Sequence, residues 1–178
     1  MSILKVARMG HPVLRAKARA LDRSQIKQPL MQRLVDDMID TMIEYHGVGL
    51  AAPQVHESVR LFVALIGPDG GEPEENARPE PLAIFNPEIT LLASETIEDW
   101  EGCLSIPDIR GRVPRAREIR LHGADRRGER LELRLQDFPA RVAMHETDHL
   151  DGILFFDRMT SFQSLTFLDE YSRYWAKD

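Results

Sequence analysis

The run RVAMHETDHLDG, Arg141 to Gly152, holds the densest set of residues in the chain able to do chemistry. On an α-helix, His145 and His149 lie one turn apart and project from one face. Two imidazoles placed this way can supply two ligands to a tetrahedral cation from one rigid element. Glu146 follows the first histidine directly, so its carboxylate can reach a water held by such a cation without ligating it, as a general base must. H-E-x-x-H is the pattern of zinc-protease helices, yet histidines at this spacing also occur as two partly buried polar side chains. A third ligand separates those readings.

Zinc proteases take that ligand from a downstream Glu or His. No histidine follows His149, and the one downstream glutamate, Glu170, falls in a predicted C-terminal helix without a ligand motif. Upstream lies the only cysteine, Cys103, inside WEGCLSIP, Trp100 to Pro107. A lone cysteine is most often a small buried hydrophobe; paired with histidine it can also be a thiolate nucleophile. A Cys–His pair leaves the second histidine and the intervening glutamate unexplained. Cys103, His145 and His149 together make a three-ligand set with a fourth position open, which marks catalytic rather than structural sites.

These residues need elements to position them. A helix is expected over about 137–150, with Asp137 as N-cap, Pro139 in the first turn and Gly152 just past the end. A longer helix over about 24–46 carries the paired apolar positions Leu30/Met31, Leu34/Val35, Met38/Ile39 and Met42/Ile43, and Gly47 and Gly49 stop it. VRLFVALI, Val59 to Ile66, reads as a buried strand; Leu82–Phe85 and Ile89–Ala93 read as short strands split by Asn86-Pro87. Glu118–His122 and Arg130–Leu135 flank a glycine turn as an antiparallel hairpin, with Leu131, Leu133 and Leu135 on one face. The Pro/Gly/Glu-rich stretch 69–81 is a surface loop, and Ser161–Trp175 reads as a C-terminal helix with Phe162, Leu165, Leu168 and Trp175 inward. Strands and helices mix without βαβ alternation, so the expected class is α+β: short, mostly antiparallel sheets around a central HExxH helix, with a long N-terminal and a C-terminal helix.

Composition limits the function classes. The 178 residues suit one domain, spanning 1–178, large enough to bury a core without staples. Twenty-three basic against 29 acidic residues give −6, which disfavours nucleic acid or an anionic membrane as a general partner. One cysteine precludes an intramolecular disulfide, no apolar run approaches a membrane span, and the N-terminus lacks a secretory h-region. A cytoplasmic protein is expected.

Three blocks, GVGLAAPQ (Gly47–Gln54), EGCLS (Glu101–Ser105) and HETDH (His145–His149), resemble in order and separation the signature motifs of the peptide deformylases. The resemblance extends to Pro12–Arg15, Val113–Arg115 and Leu154–Phe155, and so to most of the chain. It implies that Cys103, His145 and His149 hold one divalent metal ion, Fe(II) in the cell with Zn, Ni or Co as alternatives. It implies that Glu146 is the acid/base and that Gln54 and the Leu104 N–H hold the oxyanion. The substrates implied are N-formylmethionyl nascent peptides, met at the ribosome, with formate released.

The chemistry is coherent with the residues. Coordination lowers the pKa of water from about 15.7 toward about 7, and the hydroxide so formed would attack the formyl carbon. Small residues admit an extended substrate backbone as an added strand, for which Val48, Gly49 and Gly102 are the candidates. The resemblance implies that Phe138 and Val142 lie in the wall of the methionine pocket. GVGLAAPQ could equally be a plain helix stop and tight turn. Glu101 and Arg115 are either an ion pair beside Cys103 or two solvated charges, and Arg110 could meet a substrate carbonyl or carboxylate. His11, His46, His56 and His122 lack ligand spacing. Met144 stands where many relatives have Gln, Thr147 at a variable position, and the 67–81 loop is longer than in some relatives. Two rival functions are a deformylase-like peptide binder without catalysis and a zincin-type peptidase.

Overall fold

Pro29 decides how the chain begins. In place of one helix over 24–46, the computed structural model, which describes residues 2–67 and 80–176, has α1 (Arg23–Ile26) and α2 (Pro29–Glu44). Proline lacks an N–H and disfavours helical backbone at the preceding residue, so Gln28 is extended and Pro29 opens a new helix. Asp22 and Gln25 cap α1 reciprocally. α2 buries Val35, Met38, Thr41 and Met42, whereas Leu30 and Ile43 of the expected stripe are 75% and 54% exposed. Adjacent helical residues lie about 100° apart, so one member of an outer pair can turn away from the core.

Two antiparallel sheets follow. β1 (Gly49–Ala51), β2 (Leu61–Ala64), β3 (Leu82–Leu91), β6 (Glu118–Ala124) and β7 (Arg130–Gln136) form the larger, in the order β1-β2-β3-β6-β7. β4 (Thr96–Cys103), β5 (Ile106–Ala116) and β8 (Thr166–Phe167) form the smaller. β2 is buried on both faces. Phe62 and Ala64 pack with Ile119, Leu121, Leu133 and Leu135, while Leu61 and Val63 pack with Val35, Met38 and Met42 of α2. That two-sided burial is why VRLFVALI is continuously apolar rather than alternating. The predicted β6–β7 hairpin is present, with Leu121 opposite Leu133 and Ile119 opposite Leu135.

Asn86-Pro87 does not separate two strands. β3 continues through it with a bulge between Phe85 and Glu88, where Asn86 takes φ +48°. Asn tolerates this left-handed backbone better than most residues, and its amide accepts from Leu21 N at 2.9 Å and donates to Leu21 O at 2.7 Å. The bulge is thereby tied to the N-terminal segment.

α3 (Asp137–Leu150) packs Ala140, Val142, Ala143, Met144 and Leu150 into the core of the large sheet. Its N-cap is Gln136 rather than Asp137 and makes no side-chain capping bond; Asp137 pairs with Arg117 at 3.3 Å instead. Gly152, at φ +73°, ends the helix as expected. The predicted helix over 161–175 is replaced by a 3-10 turn (Phe162–Ser164), β8 and the short α4 (Leu168–Tyr174). Thr166 and Phe167 suit a strand and pair with Arg110 and Ile109 of β5. Phe162, Leu165 and Trp175, expected inward, are 65%, 39% and 53% exposed, although Trp175 and Tyr171 still pack against Trp100, tilted and edge-on. The fold is α+β with antiparallel sheets, as expected. Among the described residues no helix is long and apolar enough to cross a membrane. The 67–81 loop lies, over residues 68–79, outside the described residues.

Asn86→Ala should lower stability by about 1–3 kcal/mol, because two backbone groups of Leu21 lose their partner. Urea unfolding checks this; an unchanged midpoint would show that Leu21 finds other partners.

Candidate metal centre

The β4–β5 hairpin and α3 each bring part of the site. Cys103 ends β4 and is followed by the two-residue turn Leu104–Ser105. His145 and His149 project from α3 toward it, their rings 4.9 Å apart. Cys103 Sγ lies 3.2 Å from His149 Nε2, and one ligand atom from each of the three residues falls within 4.8 Å of the others. All three are buried. Burial pushes the Cys103 thiol up, but His149 and His145 beside it outweigh that and hold it well below its usual range. Burial pushes His145 down, and Cys103 and Glu101 carry it well above its usual value. The proton therefore favours the imidazole and leaves sulfur as thiolate, the form that binds a cation.

Glu146 lies on the same buried helix turn. Its Oε2 has no hydrogen-bond partner among the described residues, and a Cβ at Gly49 would overlap its Oε1. Burial, first of all, raises it from the usual 4.5 to about 7, against the pull of His145 and His149. Gln54 is buried in the 3-10 turn after β1. Its Oε1 accepts from Ala51 N at 2.8 Å, and its Nε2 reaches Ser105 Oγ at 3.2 Å and Cys103 Sγ at 3.5 Å. Thus Gln54 and the turn holding Leu104 meet at Cys103.

The Glu101–Arg115 alternative resolves as a buried ion pair. Arg115 Nε and Nη2 donate to the two Glu101 oxygens at 2.8 and 3.0 Å. Glu101 Oε2 also lies 2.9 Å from His145 Nδ1. Burial would raise the Glu101 pKa, but Arg115 and His145 hold it far below the carboxylate range. An ionised acceptor at Nδ1 leaves Nε2 of His145 to face Cys103 and His149, the second-layer arrangement of metal-ligating histidines. Sequence reasoning missed the rest of this network. Arg115 Nη1 also donates to Asp148 at 2.5 Å, Arg158 donates to Asp148, and Arg141 donates to Glu101 at 2.8 Å. A signal was present: Arg141, His145 and Asp148 recur at helical spacing among small and apolar neighbours, a polar stripe on a helix that is otherwise core.

The expected substrate contacts are placed unequally. Val48 and Phe138 are 44% and 46% exposed, and Val142 is buried. A Cβ at Gly102 would overlap the Arg110 guanidinium, whose Nη1 donates to its neighbour's carbonyl, Ile109 O. The histidines expected to be ordinary are not at the site: His11 and His56 pack edge to face, and His122 lies 3.7 Å from Glu132.

A cysteine sulfur and two imidazoles that converge in a buried site fit a divalent cation by donor type and count, with an unpartnered carboxylate oxygen of Glu146 in the same buried region. The family model for polypeptide deformylase matches residues 3–164. The chain belongs to that family. It is 41% identical over 176 residues to peptide deformylase 2 of Nostoc sp., covering 99% of this chain and 97% of that one. It is 46% identical to the peptide deformylase of Thermus thermophilus, covering 90% and 84% of the two chains. A solved Acinetobacter baumannii class I type b peptide deformylase with Met-Ala-Ser bound superposes with a TM-score of 0.80 at 39% identity, covering 89% of this chain and all of that one. Peptide deformylases are metalloenzymes, and the Cys103–His145–His149 cluster is where this chain could hold a metal.

The raised Glu146 pKa has a sign in stability. The folded chain holds this proton more tightly than the unfolded one, so its contribution is complete below the usual 4.5 and gone once pH has risen through about 7. With a chelator present, Glu146→Gln should therefore unfold at higher urea than the wild type at alkaline pH, and the gap should close toward pH ~5. Equal midpoints at alkaline pH would show that Glu146 is not strained by burial.

Proposed function

We propose that this chain, acting as one catalytic unit over 1–178, hydrolyses the formyl group from the N-terminal formyl-methionine of newly made polypeptides and releases formate. The observation that carries the proposal is the convergence of Cys103, His145 and His149 within 4.8 Å, beside a buried Glu146 with one oxygen lacking a partner among the described residues. The family assignment and the upstream cysteine argue against a zincin-type peptidase.

Cys103, His145 and His149 would hold the ion, with Fe(II) as the cellular metal and Zn, Ni or Co as substitutes. A divalent cation bound there supplies Lewis acidity and acidifies water in its coordination sphere. Glu146 takes a proton from the attacking water and returns it to the amine nitrogen as the carbon–nitrogen bond breaks. A carboxylate raised to about 7 is suited to both transfers near neutral pH. Gln54 Nε2 and the Leu104 N–H donate to the oxygen that gains charge at the formyl carbon. Ser105 and the Ala51 N–H hold the Gln54 amide from either side, so the donor is oriented before substrate arrives.

The peptide backbone would lie against Val48, Gly49 and Gly102, where side chains are small or open to solvent, and the methionine side chain against Phe138 and Val142. The Met-Ala-Ser held by the Acinetobacter relative supports a short peptide as ligand. The working place proposed is the cytoplasm, on nascent chains leaving the ribosome.

Formate release from formyl-Met-Ala-Ser, assayed anaerobically with Fe or Ni supplied, tests the activity; no release by metal-loaded protein sinks it and leaves a peptide binder without catalysis. Glu146→Ala should keep metal and lose turnover. Cys103→Ala should lose metal, read by elemental analysis, and unchanged content would overturn the ligand assignment. Gln54→Ala should cost about 10²–10³ in kcat, as removal of one oxyanion donor does.

A further inference from the structure

We propose that Arg141 is a positioning residue for the metal centre: it fixes the turn of α3 that carries His145 against the hairpin that carries Cys103. The proposal rests on the metal reading above and deepens it.

The geometry is specific. Arg141 lies one turn before His145 on α3, buried with its charge. Nη1 donates to Glu101 Oε1 at 2.8 Å and to Val113 O at 2.7 Å, with Asp99 O at 3.4 Å, and Nη2 donates to Ile97 O at 2.6 Å. One guanidinium thus binds carbonyls from both β4 and β5 as well as the carboxylate that meets His145. Together with Arg115 Nε, Arg115 Nη2 and His145 Nδ1, it gives Glu101 four partners, two at each oxygen. That fills the acceptor capacity of a carboxylate. Glu101 cannot turn to another partner without giving one up.

Besides the His145–Glu101 contact itself, two ties join α3 to the hairpin. Arg141 acts one turn before His145, and Asp148, through Arg115, acts just after it. A single tie would let the helix swivel about it; two ties on either side of His145 set both its depth and its rotation toward Cys103. Stability alone does not account for a buried arginine here, since apolar residues of similar volume often serve as well or better. Lysine cannot replace it, because a point charge with three donors does not span these acceptors in a fixed fork.

The test uses full-length protein with Arg141→Lys, Arg141→Met and, as a control for general destabilisation, Arg126→Met, which removes a distant tie to Gln32 and Asp36. Three quantities are read: chelator-driven release of Ni, the downfield His145 Nδ1 proton by NMR in metal-free protein, and kcat against KM. Arg141→Lys should weaken metal binding about ten- to hundredfold, as loss of an outer-layer partner does. It should also speed exchange of the His145 proton and lower kcat more than it raises KM. Arg126→Met should lose stability with none of these changes. The proposal falls if Arg141→Lys keeps wild-type metal release and a protected His145 proton, or if Arg126→Met reproduces its losses. Should Arg141→Met fail to fold, the lysine variant alone decides. If the wild type itself takes up no divalent ion, the functional reading fails, and the His145 proton in metal-free protein still decides whether Arg141 positions that ring.

Discussion

A carboxylate buried beneath the site organises most of what surrounds it. Glu101 could not remain ionised there unaided, because removing a charge from water costs several kcal/mol even after relaxation. It stays ionised because two arginines and a histidine surround it, and these come from two separate elements. Arg115 comes from the neighbouring strand, while Arg141 and His145 come from α3. The electrostatic demand of one side chain is thus met only when the small sheet and the helix are docked. Docking is the same event that brings Cys103 to the histidines.

The large sheet provides the opposite kind of support. Its contacts with α3 are apolar and general, made by Phe62, Ile84, Leu121 and Leu135 against Ala140, Ala143 and Met144. Such contacts press the helix down firmly but tolerate some rotation, since close-packed apolar surfaces of the right volume can accept alternatives. Directional bonds from the other side remove that freedom. Met144 belongs wholly to the apolar side: it packs against the sheet and enters none of the hydrogen bonds around Glu101.

Elements with a single dominant signal were legible in the sequence. α3 was, from its spacing and the glycine just past its end, though not its N-cap, and so was the β6–β7 hairpin, from alternation about a glycine turn. The cluster of Cys103, His145 and His149 was legible because the ligand types and the open fourth position admit few other readings. The small sheet was not. Its strands bury Glu101 and Arg115 and expose polar neighbours, so the alternation that marks a half-buried strand is inverted where the site lies. The C-terminal segment misled for another reason. Its apolar residues repeat at helical intervals, but a free edge on β5 offers hydrogen bonds that a short, weakly packed helix cannot match. Pro29, by contrast, was in plain view, and its effect on Gln28 outweighs the periodicity that runs across it.

β4 carries chemistry on one face and architecture on the other. Glu101 and Cys103 are two residues apart and point inward together, while Trp100 and Gly102, between and beside them, are partly open on the opposite side, where Trp100 receives Tyr171 and Trp175. A pleated strand has a period of two, so shifting it by one residue exchanges its faces completely. Substitutions at the outward positions of this strand can be absorbed one at a time. A one-residue insertion or deletion between Trp100 and Cys103 cannot, because it would put the two on one face, turning either the thiol to solvent or the indole toward the buried arginines. Length is as little free to change in this stretch of chain as the identities of Glu101 and Cys103.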